Sequence, residues 1–181
     1  MKAVDKSKFF ERRVPTSWMT AKTKEDVLDA LIRLSDLELQ SKAFIRPIGI
    51  INGSYDLLHA SHLRLINECR WRSGTVVALL DSDTKVQRSK GGRRPIMSWG
   101  ERASALFYSG CDYILEVGSD TDFLTAIEYL QPDFRVLGAE YQGKKSRLPH
   151  IHTVYTTERG PHSKDIIERI LTKYGKNYIT D

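Results

Sequence analysis

Two histidines three residues apart, His59 and His62, close the segment GSYDLLHASH that follows the apolar run Ile48 to Ile51. Once the chain turns helical near Ala60, residues at this spacing share a face, so both imidazoles can aim at one point near the first turn. That turn carries unpaired N–H groups and the positive end of the peptide dipole. They favour an anion by about 0.3–1 kcal/mol when exposed and up to ~2 kcal/mol when sheltered. Gly53 lets the backbone approach a phosphate with no side chain intervening, and Asn52, Ser54, Tyr55 and Asp56 complete the turn. The chemistry such a set performs is the binding and positioning of phosphate. An HxxH pair also occurs as half of a metal site, but a structural zinc site takes four ligands and Cys69 and Cys111 stand isolated, so no metal ligand is assigned. Asp56 has two readings, as a turn-making side chain and as a substrate contact.

A second set of groups is basic. Lys85, Arg88, Lys90, Arg93 and Arg94 fall within ten residues that contain no acid. Lys90 precedes Gly91 and Gly92 and is expected to follow a flexible loop, from which it can swing onto bound phosphate. Arg94 and Arg102 offer planar forks suited to phosphate oxygens. Read alone, the loop is equally a solvated basic hairpin or a polybasic RNA contact. Asp81 and Asp83 can hold acceptor hydroxyls, hold Mg²⁺ or cap the next turn, and residue type does not rank these. Ser163 reads as a helix N-cap whose hydroxyl, with the N–H groups behind it, can also hold a β- or γ-phosphate.

These residues need a scaffold, and the hydrophobic pattern supplies one. Residues 1–22 show no sustained period and read as a basic arm with aromatic residues. The pair Thr23 and Asp26 resembles a capping box, followed by apolar residues at helical spacing, which predicts a helix from Lys24 to Leu39. Strands and helices then alternate: strand Ile48 to Asn52, helix Ala60 to Arg72, strand Thr75 to Leu80, helix Ser98 to Ser109, strand Tyr113 to Val117. Helix Asp122 to Gln131, strands Phe134 to Leu137 and Ile151 to Tyr155, and helix Ser163 to Tyr174 complete the chain. Such alternation predicts an α/β fold, a Rossmann-like doubly wound parallel sheet with an N-terminal helix and arm, in which residues 23–181 form one domain. Ligands in such sheets bind beyond the carboxyl ends of the strands. GSYD, DSDT (81–84), GAEY (138–141, with Gly138 and Glu140) and TTERGPHS (156–163) all fall there.

The net charge of the 181-residue chain is +5, but it is not spread evenly. Residues 1–24 carry a balance of +5 and residues 85–94 another +5, so the remainder carries −5. A uniformly basic, nucleic-acid-coating surface is excluded. No apolar run approaches the ~18 residues of a membrane span, the first residues lack the apolar core of a signal peptide, and two isolated cysteines give no disulfide framework. The expected location is the cytoplasm.

At this point the chain resembles the cytidylyltransferase-like nucleotidyltransferase family, most like the adenylyltransferase domain of ADP-heptose synthases and more distantly the glycerol-3-phosphate cytidylyltransferases. NGSYDLLHASH resembles NGxFDxxHxGH, LDSD a strand ending in NSD, KGGRRP the block KGxxRP, QPDFRVLGAEY the block PDxxxKGxDY, and GPHSKDII stands where GxSTTxII is expected. The resemblance implies the nucleotidylyltransferase fold and transfer of AMP or CMP from ATP or CTP, with Mg²⁺, to a sugar phosphate or polyol phosphate, releasing pyrophosphate. It assigns His59 and His62 to the triphosphate, Lys90 to the charge on the α-phosphate, and Arg102 with Ser163 to the outgoing phosphates. It further implies a homodimer. Asn52, Gly53, Ser54, Tyr55, Arg94, Gly138 and Glu140 are expected on the nucleotide, and Asp56, Asp81 and Asp83 on the acceptor. Three departures stand out: Ser61 replaces a glycine, Leu137 replaces a lysine, and GPHSKDII brings His162 and Lys164 into a run of hydroxyls. They motivate a competing reading, a nucleotide-binding module without turnover that acts as a partner or nucleic-acid binder. A third reading is adenylyl transfer to a cofactor precursor, against which the KGGRRP block speaks.

Overall fold

The computed structural model describes residues 31–157 and 160–175. The basic arm, the capping pair at Thr23 and the first half of the expected N-terminal helix lie outside them. What the described part shows in place of the second half of that helix is a short strand β1 (Leu31–Ile32), a turn, and a one-turn helix α1 (Leu37–Gln40). The leucine spacing that suggested a helix instead serves packing. Leu31 and Ile32 pair with Ile114 and Leu115 at the sheet edge, and Leu37 is fully buried.

The remaining strands are β2 (Ile48–Gly53), β3 (Thr75–Asp81), β4 (Tyr113–Val117), β5 (Phe134–Leu137) and β6 (His152–Tyr155). All pair in parallel in the order β1-β4-β3-β2-β5-β6. The helices are α2 (Ala60–Arg72), α3 (Asp83–Lys90), α4 (Trp99–Ser109), α5 (Asp120–Leu130) and α6 (Ser163–Tyr174). From β2 the chain winds through β3 to β4 on one side, then returns to β5 and β6 on the other. The strand order therefore reverses at β2, and a crevice opens past the carboxyl ends of β2 and β5.

Why the sheet buries both faces is visible in the period of two. Val76, Ala78 and Leu80 face Ile66 and Cys69 of α2 and Ala103 and Leu106 of α4. Val77 and Leu79 face Phe123, Ile127 and Leu130 of α5, joined by Leu37 and Leu148. Each fully buried Leu or Ile contributes roughly 1.5–3 kcal/mol relative to exposure.

One helix was not expected. Residues 83–90 form α3 where a flexible loop was read, because DTKVQRSK has no apolar period and buries only Val86. Its start signal was nevertheless present: Ser82 Oγ accepts the N–H of Lys85 at 3.2 Å, and Asp83 sits in the first turn. A second difference concerns α6, whose N-cap is His162 and not Ser163. None of the helices among the described residues is long and apolar enough to cross a membrane.

Candidate nucleotide site at the carboxyl end of the sheet

The two imidazoles meet as their spacing predicts. His59 and His62 stack with ring centroids 3.8 Å apart, and Tyr55 packs edge-on to His62 at 5.1 Å. His59 is the N-cap of α2 in extended backbone, but no side chain caps the helix, so its first-turn amides stay available to an anion. Nδ1 of each ring is buried and meets no partner in the protein. Burial, then the neighbouring His59 and Lys90 charges, push the His62 imidazole down to about 3. Burial and His162 lower His59 as well. Both rings are therefore neutral near pH 7, each with one N–H to donate.

The loop that delivers them is backbone-strained. After Gly53 at φ 149°, Tyr55 (φ 47°) and Leu57 (φ 55°) take left-handed conformations that cost a non-glycine residue about 1–2 kcal/mol each. Two buried groups hold this shape. The first is Asp56, fully buried, whose carboxylate accepts the N–H groups of Ile96 (2.9 Å) and Met97 (3.0 Å) and Nε of Arg94 (2.6 Å). Burial alone would raise this carboxyl, but the amides of Met97 and Ile96 and the Arg94 guanidinium outweigh it and hold it below the usual range. Tyr55, almost fully buried, directs its hydroxyl to Asn52 O at 3.4 Å.

The second is Arg102. Expected to meet outgoing phosphate, it is instead wholly buried beneath the crevice. It donates to Ser54 O, to Met97 O at 3.2 Å, to Asp81 O at 2.9 Å and to Asp83 Oδ1 at 2.6 Å. One guanidinium thus pins the turn after β2 to the end of β3 and the start of α3. In this conformation its nitrogens face carbonyls and a carboxylate, because desolvating an arginine requires that its donors be met within the protein.

Lys90, the last residue of α3, reaches back across the crevice and donates Nζ to Ser54 Oγ. Loss of hydration, then the Arg94 charge, lowers its ammonium from the ordinary lysine value. It therefore reaches the site from the end of a rigid helix, not from a loop. Arg94 keeps Nη2 buried and without a partner. Asn52 Oδ1 is likewise buried and unpaired. Across the crevice, Glu140 lies over Gly138, its carboxylate occupying the space a Cβ there would take, with Oε2 at 2.3 Å from that position. Ser163 Oγ donates to Asp56 O.

The two acceptor-side acids are engaged elsewhere. Asp81 pairs with Lys85 at 2.9 Å, and Asp83, besides Arg102, accepts the N–H of Trp99 at 3.2 Å. Sequence reasoning placed both at the crevice rim but missed their structural partners, because Lys85 and Trp99 belong to helices that the rim itself anchors. It also missed the capping role of His162.

The geometry is therefore an anion crevice: uncapped helix amides, two neutral imidazoles, a lysine and a strained turn, at the reversal point of a parallel sheet. Comparison with known proteins agrees with it. The cytidylyltransferase-like family model matches residues 50–160. The chain is 35% identical over 129 residues to the bifunctional protein HldE of Helicobacter pylori, covering 69% of this chain and 28% of that protein. It is 34% identical over 158 residues to HldE of Geobacter metallireducens, covering 82% of this chain and 31% of that one. It spans less than a third of the length of either relative. Among solved structures, pantoate-beta-alanine ligase from Francisella tularensis, complexed with beta-gamma ATP and beta-alanine, superposes with a TM-score of 0.58 at 13% identity, over 83% of this chain and 79% of that one. That likeness concerns the fold alone. With a family match over most of its sheet, including the strained turn, both histidines and the loop before α6, the chain belongs to the cytidylyltransferase-like family.

Proposed function

We propose that the chain is a nucleotidyltransferase that moves AMP or CMP from ATP or CTP to the phosphate of a sugar or polyol phosphate and releases pyrophosphate. The observation that carries this reading is the stacked His59 and His62 pair, its buried nitrogens unpartnered, beside the uncapped amino terminus of α2 and within the field of Lys90. The family match and the HldE relatives support it.

In the reaction a phosphate oxygen of the acceptor attacks the α-phosphorus. A new P–O bond forms, the bond to the β-phosphate oxygen breaks, and the electron pair leaves with pyrophosphate. Negative charge grows on the non-bridging and leaving oxygens, so the protein has mainly to position and neutralise. The imidazole N–H groups and the α2 amides meet the triphosphate. Lys90 exchanges Ser54 Oγ for the α-phosphate, and Arg94 offers its unpaired Nη2. Arg102 acts through others, fixing Ser54 and the β3 terminus on which these groups stand. Mg²⁺ enters as the counter-ion of the triphosphate substrate. Among the described residues no group of three or more His, Cys, Asp or Glu could hold a metal, and the Asp81 and Asp83 carboxylates are tied to Lys85 and Arg102. No step is routed through the ion.

The test is pyrophosphate release from ATP and from CTP with Mg²⁺ against a panel of phosphorylated sugars and polyols. Turnover that depends on both nucleotide and acceptor is expected. A folded protein that turns over no pairing contradicts the proposal.

A further inference from the structure

The loop between β6 and α6 brings a third imidazole to the crevice. His162 caps α6: its ring accepts the backbone N–H of Asp165, while Asp165 Oδ2 accepts the N–H of His162 at 2.7 Å. Two further bonds hold the loop from either side. Ser61 Oγ donates to Pro161 O at 3.1 Å, and Ser163 Oγ donates to Asp56 O. The first ties the loop to the opening turn of α2, the second to the strained turn after β2. Residue 162 is thereby fixed between the two segments that build the phosphate site. The fit is close, since a Cβ on Gly160 would fall 2.1 Å from Ser61 Oγ. Ser61, a departure from the family pattern, thus has a place in the packing of this loop.

The His162 side chain is exposed, so the capping bond does not exhaust it. A ring nitrogen that accepts an amide N–H is unprotonated, and the neutral ring then carries its proton on the other nitrogen, as a donor. Electrostatics order the groups along the crevice. His62 feels His59, Lys90 and His162, whereas His59 feels His162 and no comparable influence of Lys90. The row runs Lys90, His62, His59, His162.

We propose that His162 is a phosphate-binding residue at the far end of this row, donating its free ring N–H to the outer phosphates of the bound triphosphate, those that leave as pyrophosphate. The inference rests on the nucleotidyl-transfer reading above and adds a contact that reads the leaving group and not the transferred nucleotide.

The test uses the full chain, calorimetric titration with inorganic pyrophosphate and with AMP and CMP, and two variants. His162→Ala removes ring and cap together. His162→Asn keeps a favoured N-cap residue and so separates the two roles, also if the alanine variant folds poorly. Both variants are expected to bind pyrophosphate about tenfold more weakly with nucleoside monophosphate affinity unchanged, while His162→Asn unfolds at the wild-type temperature. Restoration of pyrophosphate affinity by His162→Asn, together with stability, reduces His162 to a cap and overturns the proposal. So does an equal loss for pyrophosphate and monophosphate. Wild-type protein that binds neither pyrophosphate nor ATP or CTP overturns this inference and the nucleotidyl-transfer reading together; wild-type binding of both with unaffected variants overturns this inference alone.

Discussion

His59 and His62 are neutral for a shared reason, burial beside other cations, and that neutrality has a thermodynamic signature. With the folded His62 value at about 3 and an unfolded value near 6.5, the unfolded chain takes up a proton that the native state refuses. Stability is then full above pH ~6.5 and falls as pH drops toward ~3, by at most roughly 1 kcal/mol per pH unit. Urea unfolding of the ligand-free protein at pH 7, 5.5 and 4.5 checks this. The His62→Gln variant, with no proton to take, is expected to show a shallower decline, and an identical slope in both proteins contradicts it. For catalysis, His59→Ala is expected to lower kcat by about 10²–10³, the scale of one lost transition-state donor. An unchanged rate refutes its role.

At the scale of elements, Asp56 shows how one buried side chain fixes several segments. Its carboxylate joins the turn after β2 to Arg94, Ile96 and Met97 ahead of α4, and its carbonyl accepts from Ser163 of α6. Because its folded carboxyl lies below the ordinary value, this stabilisation is complete above pH ~4 and is lost as pH falls through the folded value. Asp56→Asn leaves Arg94 unpaired and is expected to cost about 3–5 kcal/mol in urea unfolding at pH 7, with a raised KM for nucleotide. A loss below 1 kcal/mol contradicts the account. Of the two roles that the residue type left open, the turn is the one the contacts demonstrate.

The same element shows what a sequence discloses and what it withholds. Helix α2 and strands β4 and β5 have the boundaries their periodicity predicts, because each buries a regular face. Helix α3 was hidden because a single buried residue, Val86, gives no period, and its caps were the only signal. The segment before β2 misled for the opposite reason. Leucines at helical spacing were present, but Leu31 and Ile32 gain more by completing the open edge of β4. In the site, residues near each other in sequence, such as His59 and His62, were legible from spacing. Asp83 meeting Arg102 across 19 positions was not.

The whole molecule places these groups by one topological fact, the reversal of strand order at β2. Turns after β2, β3, β5 and β6 converge there, and Arg102, Asp56 and Ser163 bind them to one another without occupying the crevice themselves. Each convergent group is suited to a triphosphate whose α-phosphorus is attacked from the acceptor side and whose outer phosphates depart along the histidine row. The most direct measurement of that claim is the fate of heavy oxygen placed in the phosphate group of whichever sugar or polyol phosphate supports turnover, read by phosphorus NMR and mass spectrometry. Attack by the acceptor phosphate on the α-phosphorus predicts that every label stays in the nucleotide-linked product and that pyrophosphate carries none. Labelled pyrophosphate, or release of free nucleoside monophosphate in place of a nucleotide-linked product, contradicts it.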